Sequence, residues 1–221
     1  DDAVSILMNR RGKKNILQKD AFCYHMGQVT IKDDVAKNGA NEVYRQGRQT
    51  FYRAFDVDPW GTGFCFDPHL IQATEFYRKP HINILGINSG LGDNPLQIKE
   101  CYKEYLHSTN VTLYCAYQNE AAGLSMAGIS DVHALVQSPA ELETVFAGIV
   151  FDHIVMEDSF SKPLEIRWLL EVFRSRLHPH GSFALRLTGA EAEMVRKNYP
   201  AFKCCQGTAG FWVIGGAQNV L

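Results

Sequence analysis

The sequence predicts an α/β fold: a three-layer sandwich around a mostly parallel sheet, with an antiparallel strand near its C-terminal end. Three observations carry that prediction. From Ile82 onward, short apolar runs alternate with helix-period segments, the pattern of buried strands joined by crossover helices. The first of these runs stops at a glycine cluster and gives way to a helix. The chain then closes on two strand-like segments, FKCCQGT and FWVIGG, placed to pair as a hairpin.

The 221 residues suit one well-cored unit. We divide them into an N-terminal arm with peripheral helices and loops, 1–80, and a compact domain, 81–221. A hydrophobic fraction of 46%, a charged fraction of 21% and a net charge of -2 exclude a disordered chain and an overall polycation. Any nucleic-acid contact must therefore come from a local patch. No apolar run approaches the ~18 residues of a membrane span. The N-terminus is charged where a signal peptide needs an apolar core. The expectation is a cytoplasmic protein without membrane contact. Cys23, Cys65, Cys101, Cys115, Cys204 and Cys205 show no CxxC spacing, so neither a zinc ribbon nor a redox motif is expected, and buried reduced thiols are. A start at Asp1 without methionine reads as a piece of something longer, such as a polyprotein.

In chain order, the first forty residues are poorly periodic and hold clustered charge: Arg10, Arg11, Lys13 and Lys14, then Lys32, Asp33, Asp34 and Lys37. The basic group suits either phosphate contact or a plain solvated surface. EVYRQGRQTFYRAF, from Glu42 to Phe55, predicts a short helix broken at Gly47. Its Arg45, Arg48 and Arg53 alternate with Tyr44, Phe51 and Tyr52. That mixture fits an RNA surface, where guanidinium groups meet phosphates and rings stack on bases, or an amphipathic segment packing its aromatics on the core. Asp56 to Pro80 is loop-rich, with a short helix expected from His69 to Tyr77. Trp60, in a glycine-flanked loop, is a candidate stacking platform or lid, or else the plug of a core edge.

HINILGINSGLGDN, from His81 to Asn94, organises the rest. Ile82 to Leu85 read as a buried strand, and Gly86, Gly90 and Gly92 permit a tight turn. Asn94-Pro95 predicts an N-cap followed by the first helical residue. This layout presents backbone N–H groups and a helix N-terminus to a ligand. NPLQIKECYKEYLHS then places Ile98, Cys101, Tyr102 and Tyr105 on one helix face, and VTLYCAY reads as a strand. A helix capped by Ser138 and started at Pro139 follows, then the strand GIVFDHIVMED ending in acids. KPLEIRWLLEVFRSRL is the strongest helical pattern, with Ile166, Leu169, Leu170, Phe173 and Leu177 as its stripe and Arg167 to Glu171 as an i,i+4 pair. HPHG is read as its stop, SFALRL as a strand, and AEAEMVRKNY as the last helix. Arg186 interrupts that strand, and a buried arginine needs an acidic partner, for which Asp158 is expected. Glu157 and Asp158 end a buried strand as adjacent carboxylates, whose repulsion raises one pKa. His178 and His180 flank Pro179 and are expected at the surface.

The order of elements and the residues at their ends resemble the class I S-adenosyl-L-methionine-dependent methyltransferases over Ile82 to Gly216, a Rossmann-like fold. The matching phrases are ILGINSGLG, LYCAYQNE, ISDVHALV and FDHIVMED, followed by RLHPHGSFALRL, which is similar to the family's L-x-P-x-G helix end and fifth strand. The resemblance implies that S-adenosyl-L-methionine (SAM) binds at Gly86, Asn88, Gly90 and Gly92. It implies Glu120 toward the cofactor ribose, Asp131 toward the adenine, and Glu157 at the ligand-facing edge. The turn from Gly86 to Gly92 lacks the acid usual in the family.

Within the class, GSFALRLTG and TAGFWVIGG resemble viral RNA cap ribose 2'-O-methyltransferases of the nidovirus, FtsJ-like kind. That family uses a Lys-Asp-Lys-Glu tetrad. Here Asp158 matches the aspartate and Arg186 the second lysine; Arg53 is the nearest match to the first lysine, and the glutamate position falls near Ala209 or Gly210. Arginine holds its proton and cannot act as a base. Guanine N7, by contrast, carries a lone pair and needs only positioning. The resemblance thus implies an RNA methyltransferase acting on a capped 5' end, at ribose 2'-O or guanine N7. The alternative is a degenerate pseudo-methyltransferase serving as an RNA- or protein-binding module. RNA contact is assigned to Arg45, Arg48, Tyr52 and Trp60. Replication proteins or an activating subunit are possible partners, and no metal is expected.

Overall fold

Seven strands, β1 (Ile82–Ile87), β2 (Val111–Tyr117), β3 (Val132–Leu135), β4 (Phe151–Met156), β5 (Leu177–Leu187), β6 (Lys203–Gln206) and β7 (Trp212–Ala217), join in one sheet of order β3-β2-β1-β4-β5-β7-β6. The computed structural model describes residues 2–13, 32–56, 66–158, 170–171, 174–207 and 211–217. Strands β1 to β5 are mutually parallel, and β7 runs antiparallel to both β5 and β6. The predicted Rossmann-like sandwich, with an antiparallel strand near the C-terminus, is what forms.

The chain leaves β1 for β2 and β3 on one side and returns to β4 and β5 on the other, so strand order reverses between β1 and β4. In open α/β sheets, the crevice beyond the carboxyl ends of the strands at such a reversal is where ligands bind. Periodicity within the strands supplies the two layers of core. In β1, Ile82 and Ile84 join one apolar cluster while Leu85 and Ile87 join the other. Both faces being covered, all six residues of β4 are buried, which is why this strand reads as a continuous run. Each such aliphatic side chain contributes about 1.5–3 kcal/mol by leaving water.

The described helices are α1 (Asp2–Arg10), α2 (Lys32–Asn38), α3 (Ala40–Phe55), α4 (Pro68–Ala73), α5 (Asp93–Leu106), α6 (Glu120–Ile129), α7 (Pro139–Val145) and α8 (Gly189–Asn198). None is long and apolar enough to cross a membrane. Side chains cap several of them: Asp67 accepts from His69 N at the start of α4, Asn119 from Ala121 N at α6, and Thr188 with Glu191 forms a capping box on α8.

Four expectations need correction. Helix α3 runs unbroken through Gly47, because one exposed glycine costs only ~1 kcal/mol, less than the rest of the helix returns. Helix α5 begins at Asp93 with Gly92 as its N-cap, so Asn94 is inside the first turn and its side chain bonds outside the helix. Strand β5 starts at Leu177 and includes His178, Pro179 and His180, where the sequence predicts a helix stop. Helix α4 ends at Ala73, where the Thr74 hydroxyl returns a bond to Leu70 O. Leu170, in the strongest helical pattern, is helical and 2% exposed; most of that pattern, including Arg167, lies outside the described residues.

Candidate functional site

The turn after β1 is held in place by one side chain. Asn88 has φ of 47°, a left-handed conformation that asparagine tolerates better than most residues. Its backbone N–H donates to Ala116 O, its Oδ1 accepts from Gln118 N, and its Nδ2 donates to Gln118 Oε1 and, at 3.4 Å, to Asp158 O. Asn88 thereby fastens the carboxyl ends of β1, β2 and β4 to one another. Two glycines let the backbone come this close. A methyl group at Gly86 would sit 2.9 Å from Pro95 Cγ, and one at Gly92, where φ is 88°, would sit 2.0 Å from Ile129 Cδ1.

Across the crevice lies Glu157, the residue after β4, 1% exposed. Asn94 Nδ2 donates to its Oε1 at 2.6 Å, while Asn94 Oδ1 accepts from Asp67 N at 2.8 Å. Glu157 Oε2 has no hydrogen-bond partner among the described residues. Burial pushes the carboxyl up to about 7; the Asn94 hydrogen bond, the neighbouring Ser89 hydroxyl and the charge of Arg186 oppose that rise, and Asp93 adds to it. Arg186, 4% exposed, lays its guanidinium carbon 4.2 Å from the centre of the Phe211 ring. Glu157, Asp158, Arg186, Thr188, Glu191 and Phe211 line a cleft of about 410 Å³.

Most of the expected turn and edge residues, Gly86, Asn88, Gly90, Gly92 and Glu157, therefore meet at the strand-order reversal, with Asp158 and Arg186 beside them. Glu120 opens α6 and is exposed, two residues beyond Gln118. Asp131 is a correction: it precedes β3 instead of following it. Its carboxylate accepts from Lys99 Nζ at 2.6 Å and Leu113 N at 2.8 Å, tying α5 to β2 below the crevice. The loop that does follow β3 carries Gln137 and Ser138.

Arg53 is a second correction. It lies with Arg45, Arg48, Gln49 and Tyr52 along one face of α3, lining a separate cleft of about 480 Å³, and not in the cleft of Asp158 and Arg186. Arg45 is held by Glu42 through two bonds, of 2.7 and 2.6 Å. The proposed catalytic quartet is not assembled among the described residues. Trp60, Ala209 and Gly210 lie outside them. Three contributors escaped the sequence reading: Asn94, taken only as a cap; Gln118, passed over in favour of Glu120; and Phe211, hidden in a strand-like run.

A second polar cluster occupies the opposite end of the sheet. Asp152 accepts from Tyr77 Oη, from Lys79 Nζ at 2.8 Å and from Asn83 N at 2.7 Å. His153 shares hydrogen bonds with Tyr102 Oη at 2.5 Å and Ser182 Oγ at 2.7 Å. Desolvation lowers its pKa to about 3, so the ring is neutral. This cluster joins β1, β4 and β5 at their amino ends, away from the crevice.

No protein-family model matches the chain, and no curated protein does. Among solved structures it is similar to precorrin-6y C5,15-methyltransferase from Geobacter metallireducens GS-15, at 11% identity over 67% of this chain and 84% of that one, with a TM-score of 0.47. It is also similar to an rRNA methylase from Streptococcus thermophilus, at 14% identity over 67% and 90% of the two chains, TM-score 0.45. A third is the T. thermophilus 16S rRNA N2 G1207 methyltransferase, solved with AdoMet and guanosine, at 18% identity over 61% and 37%, TM-score 0.44. The fold assignment itself rests on the strand order and directions above.

Proposed function

We propose that this protein is a SAM-dependent methyltransferase acting on RNA, with a capped 5' end as its substrate. The observation that carries the first part is the crevice at the reversal between β1 and β4, where a left-handed Asn88 and close-packed glycines shape a backbone cradle opposite a buried acid. These residues fit the cofactor's chemistry. The N-terminus of α5 favours an anionic carboxylate. Gln118 and Glu120, beyond β2, offer acceptors for ribose hydroxyls. Asp158, exposed at the cleft, brings a negative charge that suits a cationic cofactor. When bound, SAM supplies an activated methyl group; the chain's own task is to hold the nucleophile in line with it and keep water away.

RNA is favoured by α3, where Arg45, Arg48 and Arg53 share a face with Tyr52, 52% exposed, the combination that meets phosphates and stacks on bases. The finer choice of a viral mRNA cap draws on the likeness of GSFALRLTG and TAGFWVIGG described above. The separation of Arg53 from Asp158 favours a second reading, a pseudo-methyltransferase that binds RNA without chemistry. Calorimetry with SAM and transfer of labelled methyl to capped RNA test both. Heat of binding with transfer supports the enzyme, binding without transfer supports the second reading, and no heat or thermal shift at millimolar SAM rejects the enzyme.

A further inference from the structure

We infer that Glu157 is the proton acceptor of this site, and that the group methylated therefore carries a hydrogen, a hydroxyl or an N–H, and is not a bare ring nitrogen. The inference rests on the methyltransferase reading. Its geometric basis is threefold. Glu157 forms part of the wall of the cleft at the carboxyl ends of β4 and β5. One of its oxygens is fixed by Asn94, which orients the carboxyl, and the other has no hydrogen-bond partner among the described residues. The remaining cleft groups serve less well. Arg186 cannot accept a proton, Glu191 is engaged by Thr188 N and Oγ1 in the capping box, and Asp158 is exposed to solvent.

A buried acid with one unpaired oxygen is a costly arrangement, and a substrate O–H or N–H would supply the missing partner. In the reaction, the nucleophile's lone pair forms the new bond to carbon and the carbon–sulfur bond breaks with its electron pair left on sulfur. The nucleophile's hydrogen passes as a proton to Glu157 Oε2. Arg186 stabilises the carboxylate before transfer, and the neutral acid afterwards suits its apolar surroundings. A carboxyl poised near neutrality is well matched to that task. The charged or titratable groups around it are Asp93 on α5, Cys115 on β2, Arg186 on β5, and Asp158 and Glu191 at the cleft.

The test uses the whole chain, labelled SAM and GpppA-capped RNA with guanine N7 either free or already methylated. E157Q is expected to lower kcat by ~10²–10⁴-fold while leaving the Kd for SAM within about threefold, and E157D to recover part of the loss. Wild-type kcat should rise to a plateau as pH passes about 7, a limb absent from E157Q, and the label should sit on a ribose oxygen. An E157Q enzyme within about threefold of wild type, a pH limb that survives in E157Q, or label on N7 overturns the inference. Should E157Q fail to fold, E157D and the wild-type profile decide, a flat profile being fatal. Wild-type protein that binds no SAM, or binds it without transfer, overturns the underlying reading as well; loss of turnover in E157Q with SAM binding intact shows that reading sound.

Discussion

Asn94 Nδ2 donates to Glu157 Oε1 at 2.6 Å, so the first turn of α5 holds the acid that ends β4. The same amide accepts from Asp67 N at 2.8 Å, so one fully buried residue joins α4, α5 and β4 at the rim of the crevice. Asn94→Leu keeps the volume and removes both bonds, leaving a buried carboxylate oxygen and a backbone N–H unsatisfied. The expected cost is about 3 kcal/mol, read as a fall in Tm of about 6–12 °C. Because the Asn94 bond lowers the Glu157 pKa, the variant should also move that titration upward, visible by NMR of the carboxyl carbon.

Glu157 makes stability depend on pH with a definite sign. Its folded pKa, about 7, lies above the ordinary 4.5, so the native state binds this proton more tightly than the unfolded chain does. The resulting stabilisation is complete below about 4.5 and is lost as pH rises through about 7. It amounts to about 3 kcal/mol at ~1.4 kcal/mol per pKa unit. From pH 5 to 8.5 the urea midpoint of wild type relative to that of E157Q should fall along this limb, the comparison cancelling the titrations the two proteins share. A midpoint falling equally in both proteins would assign the limb to other groups.

Gly92 tests the packing of the turn separately from its chemistry. Gly92→Ala forces a left-handed residue and sets a methyl group 2.0 Å from Ile129 Cδ1, so α6 must shift or α5 must start elsewhere. The left-handed conformation alone costs about 1–2 kcal/mol. The expected result is a Tm lower by at least about 3 °C together with weaker SAM binding, since the cradle moves with the helix. Gly47→Ala on exposed α3 is the opposite case, meeting nothing within 4 Å. It should stabilise by up to ~1 kcal/mol.

The contrast between those two glycines shows how much of the molecule was legible in the sequence. Periodicity gave the strands because burial on both faces leaves little choice of residue: Ile82 to Ile87 and Phe151 to Met156 could hardly be anything else. Punctuation was less dependable. Gly47 predicts a break, yet one glycine is cheap in a long helix, and His178-Pro179-His180 predicts a stop, yet it lies at the start of β5. The crevice was legible as a place, through Gly86 to Gly92 and the acids at Glu157 and Asp158. Its wiring was not. Asn94 looked like a cap, yet its amide reaches residues 27 and 63 positions away, and no local pattern encodes such contacts. Asp131 was misplaced because matching ISDVHALV to a family phrase does not say on which side of a four-residue strand the acid falls.

If α3 carries RNA, its affinity should be strongly salt-dependent. Each phosphate contact on a single strand contributes a slope of about −0.7 in log K against log salt. Replacing Arg45, Arg48 and Arg53 by alanine should flatten the slope by about 2 and weaken binding across sequences. Arg45, already engaged by Glu42, is expected to contribute less of that change than Arg53. Fluorescence anisotropy with a labelled oligonucleotide between 50 and 300 mM salt measures it. An unchanged slope would return α3 to the role of an amphipathic spacer.

At the amino ends of the strands, His153 sets the acid limit of stability. The ring is 1% exposed, and its pKa lies at about 3, against 6.5 ordinarily, because desolvation and the Lys79 charge outweigh the attraction of Asp152. The unfolded chain takes up this proton first, so stability is lost as pH falls from about 6.5 toward 3, by as much as about 5 kcal/mol. This limb runs opposite to that of Glu157, and the two together put the maximum near pH 5–6.5. His153→Gln retains a polar side chain between Tyr102 and Ser182 but cannot ionise. It should flatten the acid limb and leave the alkaline limb in place. Because His153 lies at the far end of the sheet from the crevice, its replacement should leave SAM affinity unchanged at pH 7.5. A joint loss of binding and acid sensitivity would mean that the two ends of β4 are coupled through the strand.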